Sequence, residues 1–290
     1  MMRYSTRDGR RFEAENGQDR LLRYLYHSRA GRGLIKLLTL PAVSKLGGRL
    51  LNTRLSAMAI PSFVRSNHID LNQYETRKFT SYNDFFTRKI KPEQRPILED
   101  ARVLIAPCDG KASVYRIDAD RQFAIKNSVY TVESLTRSHR LAEKYSGGWC
   151  ILLRLTVDDY HRYCYPADGR KSRNVRIPGC FHTVNPTAVE CAPVYKENTR
   201  EYTLLRTDAF GDILQMEVGA MMVGRITNHH EKGQIVRGEE KGYFEFGGST
   251  VILLLEPGRL IPDEDLVQNT ADGYETVVKM GTSLGHSSRI

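Results

Sequence analysis

Residues 237–256 read Arg-Gly-Glu-Glu-Lys-Gly-Tyr-Phe-Glu-Phe-Gly-Gly-Ser-Thr-Val-Ile-Leu-Leu-Leu-Glu. Gly247-Gly248-Ser249-Thr250 separates the segment Tyr243-Phe244-Glu245-Phe246 from an aliphatic run that begins at Val251. Taken alone, Gly-Gly-Ser between two β-prone segments is a turn or a bulge. The run after it predicts a short strand.

The chain on the N-terminal side of this stretch carries the same signals back to about residue 100. Val103-Leu104-Ile105, Ala112 to Ile117, Trp149 to Leu155 and Leu214 to Ile226 are short β-prone runs. Asp109-Gly110, Gly179, Gly224 and Gly238 separate or interrupt them. A helix is predicted from Thr131 to Tyr145, with Thr131 as cap and Gly147-Gly148 as stop. Residues 66–100 read as a connection with one helix. There Ser81-Tyr82-Asn83-Asp84 resembles a capping box ahead of Phe85-Phe86, and Lys91-Pro92 and Arg95-Pro96 break the pattern. The expected class is α+β, with a basic helical region over 1–66 and a mostly antiparallel β-rich domain over 67–290. No internal repeat or low-complexity tract is present.

The 290 residues are 40% hydrophobic and 27% charged, which is globular composition and excludes collagen-like or wholly disordered chains. The five cysteines form no Cys-x-x-Cys pair, which argues against a disulfide scaffold and a zinc ribbon and fits a reducing compartment. The polar first twenty residues predict no secretory signal, and no apolar run reaches the roughly 18 residues of a spanning helix. The net charge of +9 sits in one place. Nine basic residues and no acidic ones lie between Arg20 and Arg65, leaving 34 basic and 34 acidic residues elsewhere. Val43, Leu46, Leu50, Leu55 and Met58 fall broadly on one helical face of that segment, and Pro41 and Pro61 punctuate helix ends. Such a segment suits the surface of an anionic bilayer; it also suits a helical subdomain packed on the main domain with its charges solvated. Nucleic acid is not expected, because the interleaved residues are Leu and Ile rather than stacking aromatics.

Several segments, in order, resemble the phosphatidylserine decarboxylases. Gly248-Ser249-Thr250 with its apolar tail strand is similar to the family's self-cleavage site. Phe85-Phe86-Thr87-Arg88-Lys89-Ile90-Lys91-Pro92 with Arg95-Pro96-Ile97 resembles its N-terminal signature. Ala106-Pro107-Cys108-Asp109-Gly110-Lys111 resembles its aspartate turn, and Asp159-Tyr160-His161-Arg162-Tyr163 its histidine motif. Thr183-Val184-Asn185-Pro186, Asn198-Thr199-Arg200-Glu201, and Val218-Gly219-Ala220 with Val223-Gly224 complete the set. The likeness runs from about residue 20 to the end.

The resemblance implies a pyruvoyl enzyme that makes its cofactor from its own backbone. Ser249 Oγ would attack the carbonyl of Gly248. Elimination of the resulting ester would give a β chain of 1–248 and an α chain of 249–290 whose first residue becomes a pyruvoyl group. Glycine at 248 suits a tight turn with no Cβ in the way of attack. A serine hydroxyl needs a base, and the family supplies it through an Asp–His–Ser arrangement. The pyruvoyl ketone would form a Schiff base with the substrate amine and accept electrons as CO2 leaves, giving phosphatidylethanolamine. The implied partners are phosphatidylserine, an anionic lipid surface at the cytoplasmic face of the cell membrane, and the two cleaved chains as a heterodimer that can itself pair. No metal is required.

One departure matters. The family pattern has Asp-Tyr-His-x-x-His, the first histidine associated with decarboxylation and the second with self-cleavage, whereas here the two positions are His161 and Cys164. A thiol has an unperturbed pKa about two units above that of imidazole and cannot simply replace it. His182, in Phe181-His182-Thr183, is the expected substitute base, with His161 the candidate for both roles if His182 is merely structural. Asp109 is the expected orienting acid; without the family match it is an ordinary Asp-Gly turn residue. His229-His230 reads as a loop pair, having no carboxylate or cysteine at ligand spacing. A Cys–His hydrolase built on Cys108 or Cys164 lacks an identifiable third group. Two other readings remain open: the same chemistry on a soluble amino acid, and a non-processing membrane-binding relative.

Overall fold

A computed structural model describes residues 2–14, 24–39, 41–75, 78–125, 128–191, 193–220, 225–245 and 249–289. Gly247, Gly248, Val223, Gly224 and the stretch from Arg20 to Arg23 lie outside these residues.

The aliphatic run after Ser249 is the centre of the molecule. Ser249–Leu255 is a strand with every residue buried. It pairs antiparallel with Gly211–Val218 on one side and Trp149–Leu155 on the other. Outward from Gly211–Val218 the sheet continues through Arg200–Thr207, Gly169–Lys171 and Gly233–Ile235. Outward from Trp149–Leu155 it continues through Gly110–Arg116, Glu275–Val278, Met2–Ser5 and Arg11–Ala14. The molecule is thus a mixed α and β protein whose sheets are mostly antiparallel; Met2–Ser5 runs parallel to Glu275–Val278. The predicted run from Leu214 to Ile226 is not one strand, since strand structure ends at Val218 and resumes at Ile226–Asn228 in another sheet.

Side chains alternate across a strand, so the two faces of this sheet build two cores. Ile252 and Leu254 join Cys150, Leu152, Leu214 and Met216 beneath the helices Val132–Thr136, His139–Tyr145 and Pro186–Cys191. Val251, Leu253 and Leu255 join Ile151, Leu153 and Ile213 on the other face. That second face is covered by a three-stranded sheet of Ile226–Asn228, Glu240–Phe244 and Arg162–Cys164, which contributes Tyr163 and Phe244. Each fully buried aliphatic side chain contributes about 1.5–3 kcal/mol, so the strand that follows Ser249 is strongly held in the fold.

Two further local outcomes differ from the sequence reading. The helix from Thr131 to Tyr145 is two helices. Arg137 takes a left-handed φ of 54°, and Ser138 starts a new helix by accepting the amide of Leu141. Thr131 is the cap, in a reciprocal capping box with Ser134. Residues 2–14 are a β-hairpin at the sheet edge, so the segment 1–66 is not helical throughout. Tyr4 packs on Phe12, and Arg3 and Arg11 lie 5.0 and 4.5 Å from the centre of the Tyr274 ring. Strands of four residues carry too few apolar positions to be read by period.

The described residues that remain in the N-terminal segment include helix over Arg29–Leu38, Pro41–Leu51, the 3-10 turn Arg54–Ala59, and Ile60–Ser66. Pro41 and Pro61 open helices, where a missing N–H costs nothing. Leu25, Tyr26 and Ile35 are buried in the first core. Leu46, Leu50, Leu55 and Met58 are not packed on the main domain: they are 59%, 61%, 78% and 79% exposed.

Candidate active site

Ser249 begins the central strand, paired with Leu155. Pleat parity puts its side chain on the face of Val251 and Leu253, under the small sheet. The residue is fully buried and its Oγ has no hydrogen-bond partner among the described residues. A buried hydroxyl without a partner costs about 1–3 kcal/mol and calls for an explanation in function.

His161 lies at the start of the small sheet's Arg162–Cys164 strand, and its carbonyl accepts the amide of Phe244 at 2.9 Å. From Phe244 the chain needs only residues 245–248 to reach Ser249. His161 and Ser249 therefore stand at the two ends of one short connection. The imidazole is fully buried. Its Nδ1 faces the carbonyl of Asp159 at 2.9 Å, and because a carbonyl only accepts, Nδ1 carries the proton. Nε2 is then the basic nitrogen, and it is buried and unpartnered. Burial pushes this histidine down to about 3, so it is neutral at physiological pH. The Phe86 ring covers it at 4.0 Å between centroids.

The matched segments converge around this histidine. The amide of Cys164 donates to Pro107 O at 2.8 Å, and Lys111 Nζ donates to Asp159 at 2.7 Å, which join the aspartate turn to the histidine motif. Lys111 holds the Asp159 carboxyl well below the usual carboxylate range, although burial works the other way. Arg162 Nε donates to Thr87 O at 2.9 Å, which joins the N-terminal signature to both. Ser81 caps the Tyr82–Phe86 helix by accepting the Asp84 amide, and that helix aims Phe86 at His161.

Asp109 is buried beside these residues but touches neither His161 nor Ser249. Arg95 grips it with two bonds, Nε to Oδ1 at 2.8 Å and a terminal nitrogen to Oδ2 at 2.5 Å. The amide of Met280 donates to it at 2.9 Å, and Lys279 Nζ lies at 3.3 Å. No local pattern announces that Arg95, in the Arg-Pro-Ile tail of the signature, pairs with Asp109.

His182 is not brought to Ser249. Its Nδ1 is 3.1 Å from the Tyr26 hydroxyl and its Nε2 is 3.7 Å from Glu197. Tyr26 and the nearby Val184 belong to the first core, on the sheet face opposite to Ser249. Burial lowers the His182 pKa, partly offset by the Glu197 charge. Cys164 is buried with its thiol pushed up to about 12, so it is a neutral thiol rather than a base. Cys108 is likewise fully buried and pushed up. His229 pairs with Glu240 at 2.6 Å, and the two adjacent imidazoles sit in a loop.

The buried neutral state of His161 has a thermodynamic signature. Its folded pKa is depressed, so between pH ~6.5 and ~3 the unfolded chain binds a proton that the folded chain does not. The stability is present above pH ~6.5 and is lost as pH falls, by up to about 1.4 kcal/mol per pH unit for this one proton. In an uncleaved Ser249→Ala background, denaturant unfolding should show this slope, and adding His161→Gln should remove it. Equal slopes in the two proteins would place the histidine in solvent.

The chain matches the phosphatidylserine decarboxylase family profile over residues 82–286. It is 42% identical over 275 residues to phosphatidylserine decarboxylase proenzyme 2 of Clostridium acetobutylicum, covering 94% of this chain and 93% of that protein. It is 38% identical to the phosphatidylserine decarboxylase proenzyme of Clostridium novyi, with 92% of each chain covered. It is 37% identical to that of Clostridium botulinum strain Alaska E43, covering 98% of this chain and 99% of that one.

Proposed function

This chain belongs to the phosphatidylserine decarboxylase family, and on that premise we propose that it is a carboxy-lyase, made as a proenzyme, that converts phosphatidylserine to phosphatidylethanolamine and CO2. The observation that carries the site-level reading is the pair of buried, unpartnered atoms, Ser249 Oγ and His161 Nε2, at the two ends of one short connection.

The chain's own residues suffice for the first event. His161 Nε2 takes the proton of Ser249 Oγ, which attacks the carbonyl of Gly248 and exchanges the peptide bond between 248 and 249 for an ester. Loss of the Cα proton of 249 then breaks its Cβ–Oγ bond, leaving a carboxylate on Gly248 and a dehydroalanine at 249. Water hydrolyses the imine tautomer of that residue to a pyruvoyl group with release of ammonia. The carbonyl of Asp159 orients the imidazole, the role a carboxylate plays in a Ser–His–Asp set. Phe86 excludes water from the ring. An orphan hydroxyl with a neutral base at the other end of a short connection fits a residue that is consumed to make a prosthetic group. That group supplies an electron sink for loss of CO2.

Asp109 then acts as a positioning residue. It is on the β-chain side of the cut and binds Lys279 and Met280 on the α-chain side, with Arg95 neutralising it. The central strand supports the same assembly, since Ser249–Leu255 is paired on both sides and would hold the α chain in place after cleavage.

The substrate reading rests on where the exposed apolar residues connect. Phe63 packs edge-on against Tyr82 and Phe85 at 5.3 and 6.1 Å, and Ser56 Oγ accepts the Tyr82 amide at 2.9 Å. The segment bearing exposed Leu50, Leu55 and Met58, with exposed Arg49, Arg54 and Arg65 beside them, thus sits on the helix that covers His161. Apolar side chains ringed by arginines suit a peripheral seat on an anionic bilayer, where the head group is presented. No helix among the described residues is long and apolar enough to cross a membrane. The cytoplasmic face is the side we assign, in keeping with five cysteines outside any disulfide.

Phosphatidylserine in anionic vesicles should be converted to phosphatidylethanolamine, and activity and vesicle binding should fall together as salt rises, because salt screens the arginines. Free serine should give no CO2. Conversion of free serine at a comparable rate would move the assignment to a soluble amino acid, and vesicle binding unchanged in high salt would remove the electrostatic part of the membrane reading.

A further inference from the structure

Cys180, His182 and Glu197 each direct a ligand atom into one small space, and these atoms all lie within 4.8 Å of one another. They come from two segments that the main chain zips together. The Cys180 amide donates to Glu197 O at 3.1 Å and the Thr199 amide to Cys180 O at 2.9 Å. The Asn198 side chain clamps both sides of His182, accepting its amide at 2.8 Å and donating to its carbonyl at 2.7 Å. A third bond from Asn198 reaches Gly219 O at 2.8 Å, which ties the cluster to the sheet. The geometry is therefore fixed by backbone and not by the ligands themselves, which is what a preorganised site requires.

The donor set is one thiol, one imidazole and one carboxylate. In the set left alone, burial and the Glu197 charge hold Cys180 as a neutral thiol, which donates weakly to Glu197 O at 3.5 Å and Asn198 Oδ1 at 3.8 Å. A bound ion would take the thiolate form, releasing that proton. Sulfur and nitrogen donors select a transition ion over Mg2+ or Ca2+, and a mixed S, N, O set suits tetrahedral Zn2+. Tyr26 supplies the outer partner that metal-bound histidines commonly have: its hydroxyl, 3.1 Å from His182 Nδ1, can accept the Nδ1 proton and leave Nε2 toward Glu197 for the ion. Partial exposure of Cys180, His182 and Glu197 gives the ion a way in.

We propose that Cys180 Sγ, His182 Nε2 and Glu197 carboxylate form a binding site for a divalent zinc-class ion, with a fourth position open to water. The site lies on the sheet face opposite to Ser249. It would fasten the N-terminal region, through Tyr26, to the strand that starts at Arg200. It is independent of the decarboxylation reading, and its test does not rely on activity.

The test uses the full chain, stripped by dialysis against a chelator and titrated with Co2+ and then Zn2+. One equivalent of Co2+ should bind, with a near-ultraviolet thiolate-to-cobalt band and visible bands of tetrahedral intensity that Zn2+ bleaches. Cys180→Ser should abolish the thiolate band. Glu197→Gln should weaken binding by more than the roughly 10–100-fold that Tyr26→Phe, an outer-partner change, should cost. Cys191→Ser should leave the band in place. The proposal is overturned if the wild-type chain takes up no ion saturably, or if Cys191→Ser rather than Cys180→Ser removes the band. Circular dichroism of each variant separates loss of ligand from loss of fold.

Discussion

Ser249→Ala is expected to leave a single intact chain of 290 residues with no decarboxylase activity. The wild-type protein should separate under denaturing mass spectrometry into residues 1–248 and a 249–290 chain whose first residue is a pyruvoyl group. The expectation is sharp because the substitution is structurally mild. Ser249 is fully buried and its hydroxyl has no partner, so removing the oxygen breaks no hydrogen bond and relieves an unsatisfied polar atom. The pairing of 249 with Leu155 uses the main chain and survives. Melting should match or exceed that of uncleaved wild type, and what is lost is the nucleophile. Ser249→Thr tests the same point from the other side. It keeps a hydroxyl but adds a methyl to a packed site, which typically costs 1–3 kcal/mol. It should cleave slowly and melt lower. A cleaved Ser249→Ala chain, or a wild-type chain that stays intact, would remove the proenzyme reading at its root.

His161→Ala should slow self-cleavage by about 100–10,000-fold, the usual worth of a positioned general base. His182→Ala and Cys164→Ser should each cleave within about tenfold of wild type. The ordering follows from burial and direction. His161 offers a neutral, buried and unpartnered Nε2, with its tautomer set by the Asp159 carbonyl, and its carbonyl is bonded to Phe244, five residues before Ser249. Cys164 is a buried thiol pushed up to about 12 and has little thiolate to offer as a base. His182 is turned to Tyr26 and Glu197. Because the His161 pKa is so low, the cleavage rate of the wild-type chain should show no inflection near pH ~6.5, where an exposed histidine titrates. The reverse ordering, an intact His182→Ala chain beside a cleaved His161→Ala chain, returns the base to His182 and sinks this assignment.

How far the sequence could be read differs from residue to residue, and the difference has a pattern. The aliphatic run from Val251 announced a strand, and Ser81 and Thr131 announced helix starts, because strand period and capping are written within a few residues. The basic segment between Arg20 and Arg65 was equally plain as composition, though only the tertiary structure showed that Leu50, Leu55 and Met58 face outward instead of packing on the domain. The Met2–Ser5 strand was silent in sequence, because its pairing with Glu275–Val278 spans nearly the whole chain.

The site divides in the same way. Ser249, His161 and Asp109 were identifiable from the motifs that contain them, as residue types suited to a nucleophile, a base and an acid. Which of them meet was not. The pleat sends Ser249 to one face of the sheet while Tyr26 holds His182 on the other, and no local pattern records that choice. Asp109 is taken by Arg95 through a bidentate pair fourteen residues apart in sequence. Cys180, His182 and Glu197 have no ligand spacing in the chain, yet a parallel bridge between Cys180 and Asn198 sets them around one point. By itself the sequence determined the central strand, the charge of the N-terminal segment and the candidates for the reacting side chains, because propensity, composition and motif are local. The tertiary structure decided where His161 and His182 are held and which charges are paired, because those depend on the face each side chain is given and on contacts between segments far apart in the chain.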